Sequence, residues 1–443
     1  MADDDLFSDL PVQKKSEAFE PGRPRLRQPV RDQIELRAVD LDGLIGAEHP
    51  ARVIWDYVRG LDLRALEQSV QAREHTPGQA PVSPHLLLAL WLYATSEGIG
   101  SARALARLCE SHDAYRWLCG GVRVNYHGLA DFRTADPDLL DRLLTENVAT
   151  LSAAGAINLD EVVQDGVRVR ASAGAASFRR SKTLHKELKK AQHRIAQLRQ
   201  EVNDDPDASN RRIRAAGERA AREREARVSA ALAKLAQIEA ERERRAKTNK
   251  KQVAKQKEPR ASTTDPQARI MKMADGGYRP AYNCQLGTVA EGQIVVAVEA
   301  TAIGSDRGLM PSMLTQIEHR HGRRPRRYLV DGGFNKNDDT EWAAGLGVNV
   351  YGPPIRSKHN TDPYAPRLDD GPGVAAWRRR MKSPHGKAVY RRRTMGECIN
   401  ARFRQWNLRQ FVVRGCLKVQ AVLSIFALAN NILQGHRLIH SAA

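Results

Sequence analysis

Tyr390, Arg393, Glu397 and Arg404 recur at offsets of three, four and seven, which on an α-helix would bring them onto one face, turn after turn. A carboxylate set among cations can bind a divalent metal, or grip a phosphodiester together with the guanidinium beside it. Two more carboxylates stand out by their surroundings. In Val163-Gln-Asp165-Gly-Val167-Arg-Val169 the alternation puts Asp165 among valines on the apolar side of a strand. A carboxylate buried there needs a metal, a cation or hydrogen bonds to offset the loss of water; the alternative is that it faces a loop or caps a turn through Gly166. Asp331 ends the apolar run Arg327-Tyr-Leu-Val and precedes Gly332-Gly333. Asp165, Asp331 and Glu397 are then hard oxygen ligands, of the kind that hold two Mg²⁺ or Mn²⁺ ions about 3.5–4 Å apart for phosphoryl transfer. Asp160, Asp265, Asp275, Asp338 and Asp339 are rival choices, but Asp265 precedes proline and Asp275 precedes Gly-Gly. Ser305-Asp306 reads as the cap of a helix running to about Arg320.

These side chains must be positioned by elements whose signals are local. Residues 1–35 lack apolar periodicity and read as a mobile leader. Residues 36–155 are helical in pattern: Pro50 to Leu61 is amphipathic, Ser83-Pro84 caps an apolar segment through Tyr93, Ser101 and Ser111 open two short helices, and Asp136-Pro137 starts a last one. This order suits a helix-turn-helix as well as a packed bundle. From Ile157 the pattern is that of strands. Phe178 to Arg260 interrupts it with two heptad-like runs, Leu184 to Val202 and Val228 to Ile238, around the turn-forming Asn203–Asn210. That predicts an antiparallel helical hairpin. Strands resume at Tyr282 and Gln293, on either side of Glu291-Gly292, and again at Arg327 and Val348. Pro354 to Val389 is basic loop and helix; Trp377, beside Arg378-Arg-Arg380, could stack on an unpaired base or lie in the core. The fold class is mixed α/β.

With 71 Lys and Arg against 52 Asp and Glu, the 443-residue chain carries a formal charge of +19, which calls for a polyanionic partner. The hairpin holds 25 of the basic residues and 12 of the acidic ones, a surplus suited to phosphates. The apolar run Leu86 to Ala94 falls short of the roughly 18 residues of a membrane span. The start Met-Ala-Asp-Asp-Asp lacks a secretory pattern, and cysteines 109, 119, 284, 398 and 416 form no metal motif. A cytoplasmic protein with reduced thiols and no membrane partner is expected.

The order of a strand bearing Asp165-Gly166, a helical insertion, paired strands, a strand ending Asp331-Gly-Gly-Phe334, and then Tyr390-x2-Arg393-x3-Glu397-x6-Arg404 resembles the DDE transposases of bacterial insertion sequences. Arg404 stands where that family usually has lysine, keeping the charge and changing the donor geometry. Residues 40–135 look like the helical amino-terminal domain of many such transposases, and Asp265-Pro-Gln-Ala-Arg269 with Tyr282-Asn283 resembles a coiled-coil-bearing branch. The resemblance implies a ribonuclease-H-like catalytic core (156–177 and 261–435) interrupted by a basic coiled-coil insertion (178–260), after an all-α domain (36–155). It implies a metal triad of Asp165, Asp331 and Glu397, supported by Tyr390, Arg393 and Arg404, with two Mg²⁺ or Mn²⁺ ions. The expected partner is double-stranded DNA, both element ends and target, bound by a homodimer or higher assembly. The activity implied is strand cleavage at element ends and transfer to target DNA. Other readings are a nuclease or resolvase with the same core, an inactive DNA-binding descendant, and a coiled-coil scaffold. For Tyr390 and Arg393 the alternative is a ring packed in the core and a cation that neutralises Glu397.

Overall fold

A computed structural model describes residues 38–68, 80–204, 211–248, 258–355 and 362–441. The leader expected over residues 1–35 and most of the hairpin turn, 205–210, lie outside the described residues. Leu41–Ala443 forms one compact unit.

Among the described residues, seven α-helices open it: α1 (Pro50–Arg59), α2 (Arg64–Gln68), α3 (Pro84–Ser96), α4 (Ala102–Ser111), α5 (Asp113–Cys119), α6 (Tyr126–Ala135) and α7 (Pro137–Ala153). Leu86 through Thr95 of α3 are all buried, as befits a helix apolar on every side. The local start signals are mostly those of the sequence. Ser101 Oγ accepts from Ala104 N, and Asp136 Oδ1 accepts from Leu139 N at 2.8 Å. Ser111, however, closes α4, and α5 is capped by His112 through its ring nitrogen. Ser83 precedes α3 without a side-chain capping bond, leaving Pro84 as the effective start signal.

The sheet begins with β1 (Glu161–Arg170). Two-residue strands β2 (Phe178–Arg179) and β3 (Ala261–Ser262) pair as a neck, from which α8 (Ser181–Asp204) and α9 (Arg211–Thr248) project as an antiparallel hairpin. Its seam packs Leu184 and Leu188 against Val228, Ala231 and Leu235 near the neck and buries Ala191, Ile195 and Leu198 further out, and Arg224–Glu187 and Arg199–Glu218 ion pairs cross it in antiparallel order. Because the insertion leaves and returns at one neck, it does not disturb the sheet. β4 (Arg269–Lys272), β5 (Tyr278–Val289) and β6 (Ile294–Thr301) follow, with Gly292 at φ +79° turning β5 into β6. After α10 (Met310–His321) come β7 (Arg327–Leu329), α11 (Asn337–Gly345) and β8 (Asn349–Tyr351). The long β5 is flanked on one edge by β1 and on the other by β4 and β6 in turn, all antiparallel; β1 then pairs with β7, and β7 with β8, in parallel. The strand order β6-β5-β1-β7-β8, with only the last three parallel, is that of a ribonuclease-H-like core.

Four helices end the chain: α12 (Pro372–Lys382), α13 (Pro384–Arg391), α14 (Thr394–Gln405) and α15 (Cys416–Ser441). α15 is long and apolar enough to cross a membrane, a feature that a search for unbroken apolar runs passes over. Its apolar residues are instead spent on burial. Ala421, Ile425, Leu428 and Ile432 join the core of the amino-terminal helices, while Val419, Leu423, Phe426 and Ala427 join a core with β1, β5 and α14.

Candidate active site at the ends of parallel strands

Asp165 sits in β1 between Val163 and Val167, on the face that α14 covers. Its carboxylate accepts from Gly166 N at 2.9 Å and from Asn400 Nδ2 at 2.6 Å. Burial pushes its pKa above the ordinary carboxylate value, and the negative charge of Asp331 adds to this; the Gly166 amide, Arg393 and Asn400 pull the other way. The two aspartates come level because of register. Val163 pairs with Leu329 as the last step of the parallel β1/β7 ladder, so Asp165 and Asp331 each lie two residues beyond it, and the charge of Asp331 acts on Asp165. Asp331 has just left β7; its Oδ1 accepts from Gly333 N at 2.7 Å and caps a short 3₁₀ turn, Gly332–Phe334.

Glu397 comes from the first turn of α14, where a carboxylate complements the helix dipole. Gly396 lets α14 approach β1: a Cβ there would lie 2.7 Å from Val163 Cγ1. Tyr390, Arg393, Glu397 and Arg404 do not share one continuous helix, as the offsets suggested. α13 ends at Arg391, Arg393 is the N-cap of α14, and the chain turns between them. Pro384 and Ser383 start α13 separately from α12, and the break lets α13 pack on one part of the core and α14 on another. Even so, Arg393 gathers the group. It donates to Glu397 Oε1 at 2.6 Å, lies 5.8 Å from the Tyr390 ring centroid, and attracts Asp165. Burial works against its charge, but Glu397 and Tyr390 more than compensate and raise its pKa. The Tyr390 ring packs partly buried against the sheet core, and Arg404 is exposed.

Several neighbours escaped sequence reading. Asn400 lies one turn beyond Glu397, so the helical period could have found it; its Oδ1 is buried and without a hydrogen-bond partner. Asp306 does not cap a helix. α10 starts only at Met310, and the Asp306 carboxylate accepts from Asn283 Nδ2 (2.8 Å), Gln285 Nε2 (2.9 Å) and Arg168 (3.2 Å). This polar cluster presses on β1 from the face opposite Asp165, and a Cβ on Gly166 would lie 2.5 Å from Gln285 Nε2 and 2.6 Å from Asp306 Oδ1. The Asp165-Gly166 pair therefore offers a carboxylate to one face and an empty space to the other. Among the rivals, Asp265 is fully buried, and accepts from Tyr282 Oη at 2.8 Å. It ties β5 to the loop that precedes β4, and accepts from Gly415 N as well. Trp377 is 2% exposed, with its Nε1 donating to Gly352 O; it cannot stack on a base.

Matches to known families bear on this geometry. A model described as the transposase DDE domain matches residues 248–432, and a second transposase domain (DUF772) matches residues 39–135. The chain belongs to the DDE-type transposases of insertion sequences. No curated protein and no solved structure matches it. Asp331, Tyr390, Arg393, Glu397 and Arg404 fall inside the DDE match, and Asp165 between the two. The DDE domain implies a polynucleotidyl transferase or nuclease that acts on DNA with divalent ions. Asp165, Asp331 and the orphaned Asn400 Oδ1 are hard oxygen donors suited to such an ion. Among the described residues, no three His, Cys, Asp or Glu side chains converge tightly enough to hold one, and Glu397 is engaged by Arg393.

Proposed function

We propose that this transposase cleaves DNA at the ends of its element and joins the freed ends to target DNA, in Mg²⁺- or Mn²⁺-dependent reactions carried by Asp165, Asp331 and Glu397, acting as a homodimer or higher assembly. The observation that supports it most is the register that sets Asp165 level with Asp331, beneath the helix that carries Glu397. These three carboxylates would hold the ions, which supply activation of the attacking oxygen and neutralise charge on the leaving one. In the first step water attacks phosphorus and a 3′-oxygen leaves as a hydroxyl; in the second that 3′-hydroxyl attacks a target phosphodiester, whose own 3′-oxygen leaves and takes up a proton. Both are displacements at phosphorus by an oxygen nucleophile, so one site can serve both.

Arg393 has a second part in this reading. Its guanidinium can exchange the Glu397 carboxylate for a DNA phosphate, a bidentate anion of similar shape. Glu397, 53% exposed, is then free to turn toward the aspartates. Tyr390 holds the guanidinium in place through its ring, and Arg404 meets the backbone further along. The Arg393–Glu397 pair also gives weight to a second reading, an inactive DNA-binding descendant in which that pair never opens.

Incubating the full chain with Mn²⁺ and DNA carrying the flanking genomic ends separates the two. Nicking and strand transfer are expected from the wild type, and Asp165→Ala, Asp331→Ala or Glu397→Ala should each abolish them. A wild type that binds but never cuts supports the inactive reading. Cleavage without joining points to a nuclease, and a variant cutting at wild-type rate removes its residue from the site.

A further inference from the structure

Away from the carboxylates, a chamber of about 310 Å³ opens between α3, α4, α15 and the segment that follows α14. Its walls include Trp91, Trp406, Phe411 and Phe426. Arg133, on α6, also lines it while only 7% exposed. The guanidinium lies 4.2 Å from the Trp91 ring centroid and donates Nη1 to Gly100 O at 2.6 Å, but its Nε–H has no acceptor. No carboxylate pairs with it among the described residues. Burial draws its pKa down to about 10, the signature of a cation kept from water without a counter-charge.

We propose that this chamber receives an unstacked nucleobase of the bound DNA, guanine in preference to the others. The proposal rests on the DNA-acting reading above and adds a site to it. Three properties point to a base. Trp406, half-buried rather than enclosed as Trp91 and Phe411 are, offers a ring for stacking. A guanidinium presents the fork of donors that matches the O6 and N7 acceptors of guanine. A bare phosphate would leave the aromatic walls unused, and an apolar ligand would leave Arg133 unpaired. The placement also fits: Trp406 lies nine residues beyond Glu397, roughly 14 Å along a helix, or about four steps of a DNA strand. Exposed Arg404 and Arg409 flank the Trp406–Leu408 wall, where they can hold the phosphates on either side of an extruded base. Arg404, exposed at the far end of α14 from Glu397, thereby gains a specific task.

The test uses the full chain, EDTA, and a short labelled single strand carrying one guanine, compared by fluorescence anisotropy with the same strand abasic at that position. The wild type should bind the guanine strand about tenfold more tightly. Arg133→Met, which removes the donors, and Ala104→Phe, which fills the chamber from its half-exposed α4 wall, should each bring the ratio near one. Melting curves establish that each variant folds; should Arg133→Met fail to, Ala104→Phe decides. Equal affinity of the wild type for both strands, a stronger preference for another base in place of guanine, or a ratio that survives the chamber-filling change would overturn the proposal. Because no divalent ion is present, such failure leaves the strand-cleavage reading standing, and lost cleavage with the base preference intact would leave the chamber standing.

Discussion

Asp165 carries a cost that the proposed catalysis would explain and packing does not. Its folded pKa is raised above the ordinary 3.8, first by burial, so the folded state holds this proton more tightly than the unfolded chain does. The stability from that proton is present below the ordinary value, and is lost as pH rises from there through the raised one. At pH 7 the ionised carboxylate is therefore a net burden on the fold. Asp165→Asn should stabilise the protein by about 1 kcal/mol at pH 7, with the gain vanishing by pH 3, while cleavage is lost. Urea melts at the two pH values check this, and a variant less stable than wild type at pH 7 would count against it. Asp165 was legible because strand alternation is a local signal that marks any polar residue on an apolar face. Asp306 was not, because Ser-Asp ahead of an apolar run reads as a cap whatever the side chain touches, and its partners Asn283 and Gln285 lie about twenty residues back in another strand.

At the scale of elements, glycines set the distances. Gly396 brings α14 onto β1, and with it Glu397 and Asn400. Gly396→Ala should cost about 1–3 kcal/mol through overpacking and slow cleavage further, since the helix must lift from Val163. Unfolding and cleavage assays on one preparation check both; full activity would show that α14 need not sit so close. The hairpin is an element of a different kind. Many of its arginines already pair with its own glutamates, as Arg222 does with Glu218 and Arg227 with Glu223, yet its basic surplus remains. Deleting Phe178–Arg260 should weaken DNA binding and flatten its dependence on salt, because fewer counterions are released. An unchanged slope would assign the hairpin to assembly. Heptad spacing made this element plain in the sequence. The break between α13 and α14 stayed hidden, since Tyr390 to Arg404 keeps helical offsets across a turn that contains no proline or glycine before Gly396.

For the whole molecule, α15 ties the amino-terminal helices to the sheet. Leu428 is fully buried in the core it shares with α3 and its neighbours, while Phe426, two residues earlier, packs on Phe403 of α14. Leu428→Ala should cost about 2–5 kcal/mol and lower a single calorimetric transition. Two separated transitions would mean that the helical layer folds independently of the sheet. The site depends on this arrangement indirectly, because α14 is held between β1 and α15.

The sequence by itself determined the kinds of element, the inserted hairpin, the basic charge and the residues with chemical promise, since each follows from spacing within a few turns or strand steps. Only the tertiary structure decided which of those residues meet. Asp165 and Asp331 are brought level by a parallel ladder between strands well over a hundred residues apart, a register that rests on the fit of β1 between β5 and β7 rather than on any local pattern. The burial of Arg133 with no carboxylate partner among the described residues likewise arises from packing between elements that the chain order keeps apart, whereas the Arg393–Glu397 pair is a contact across four residues that the spacing already offered.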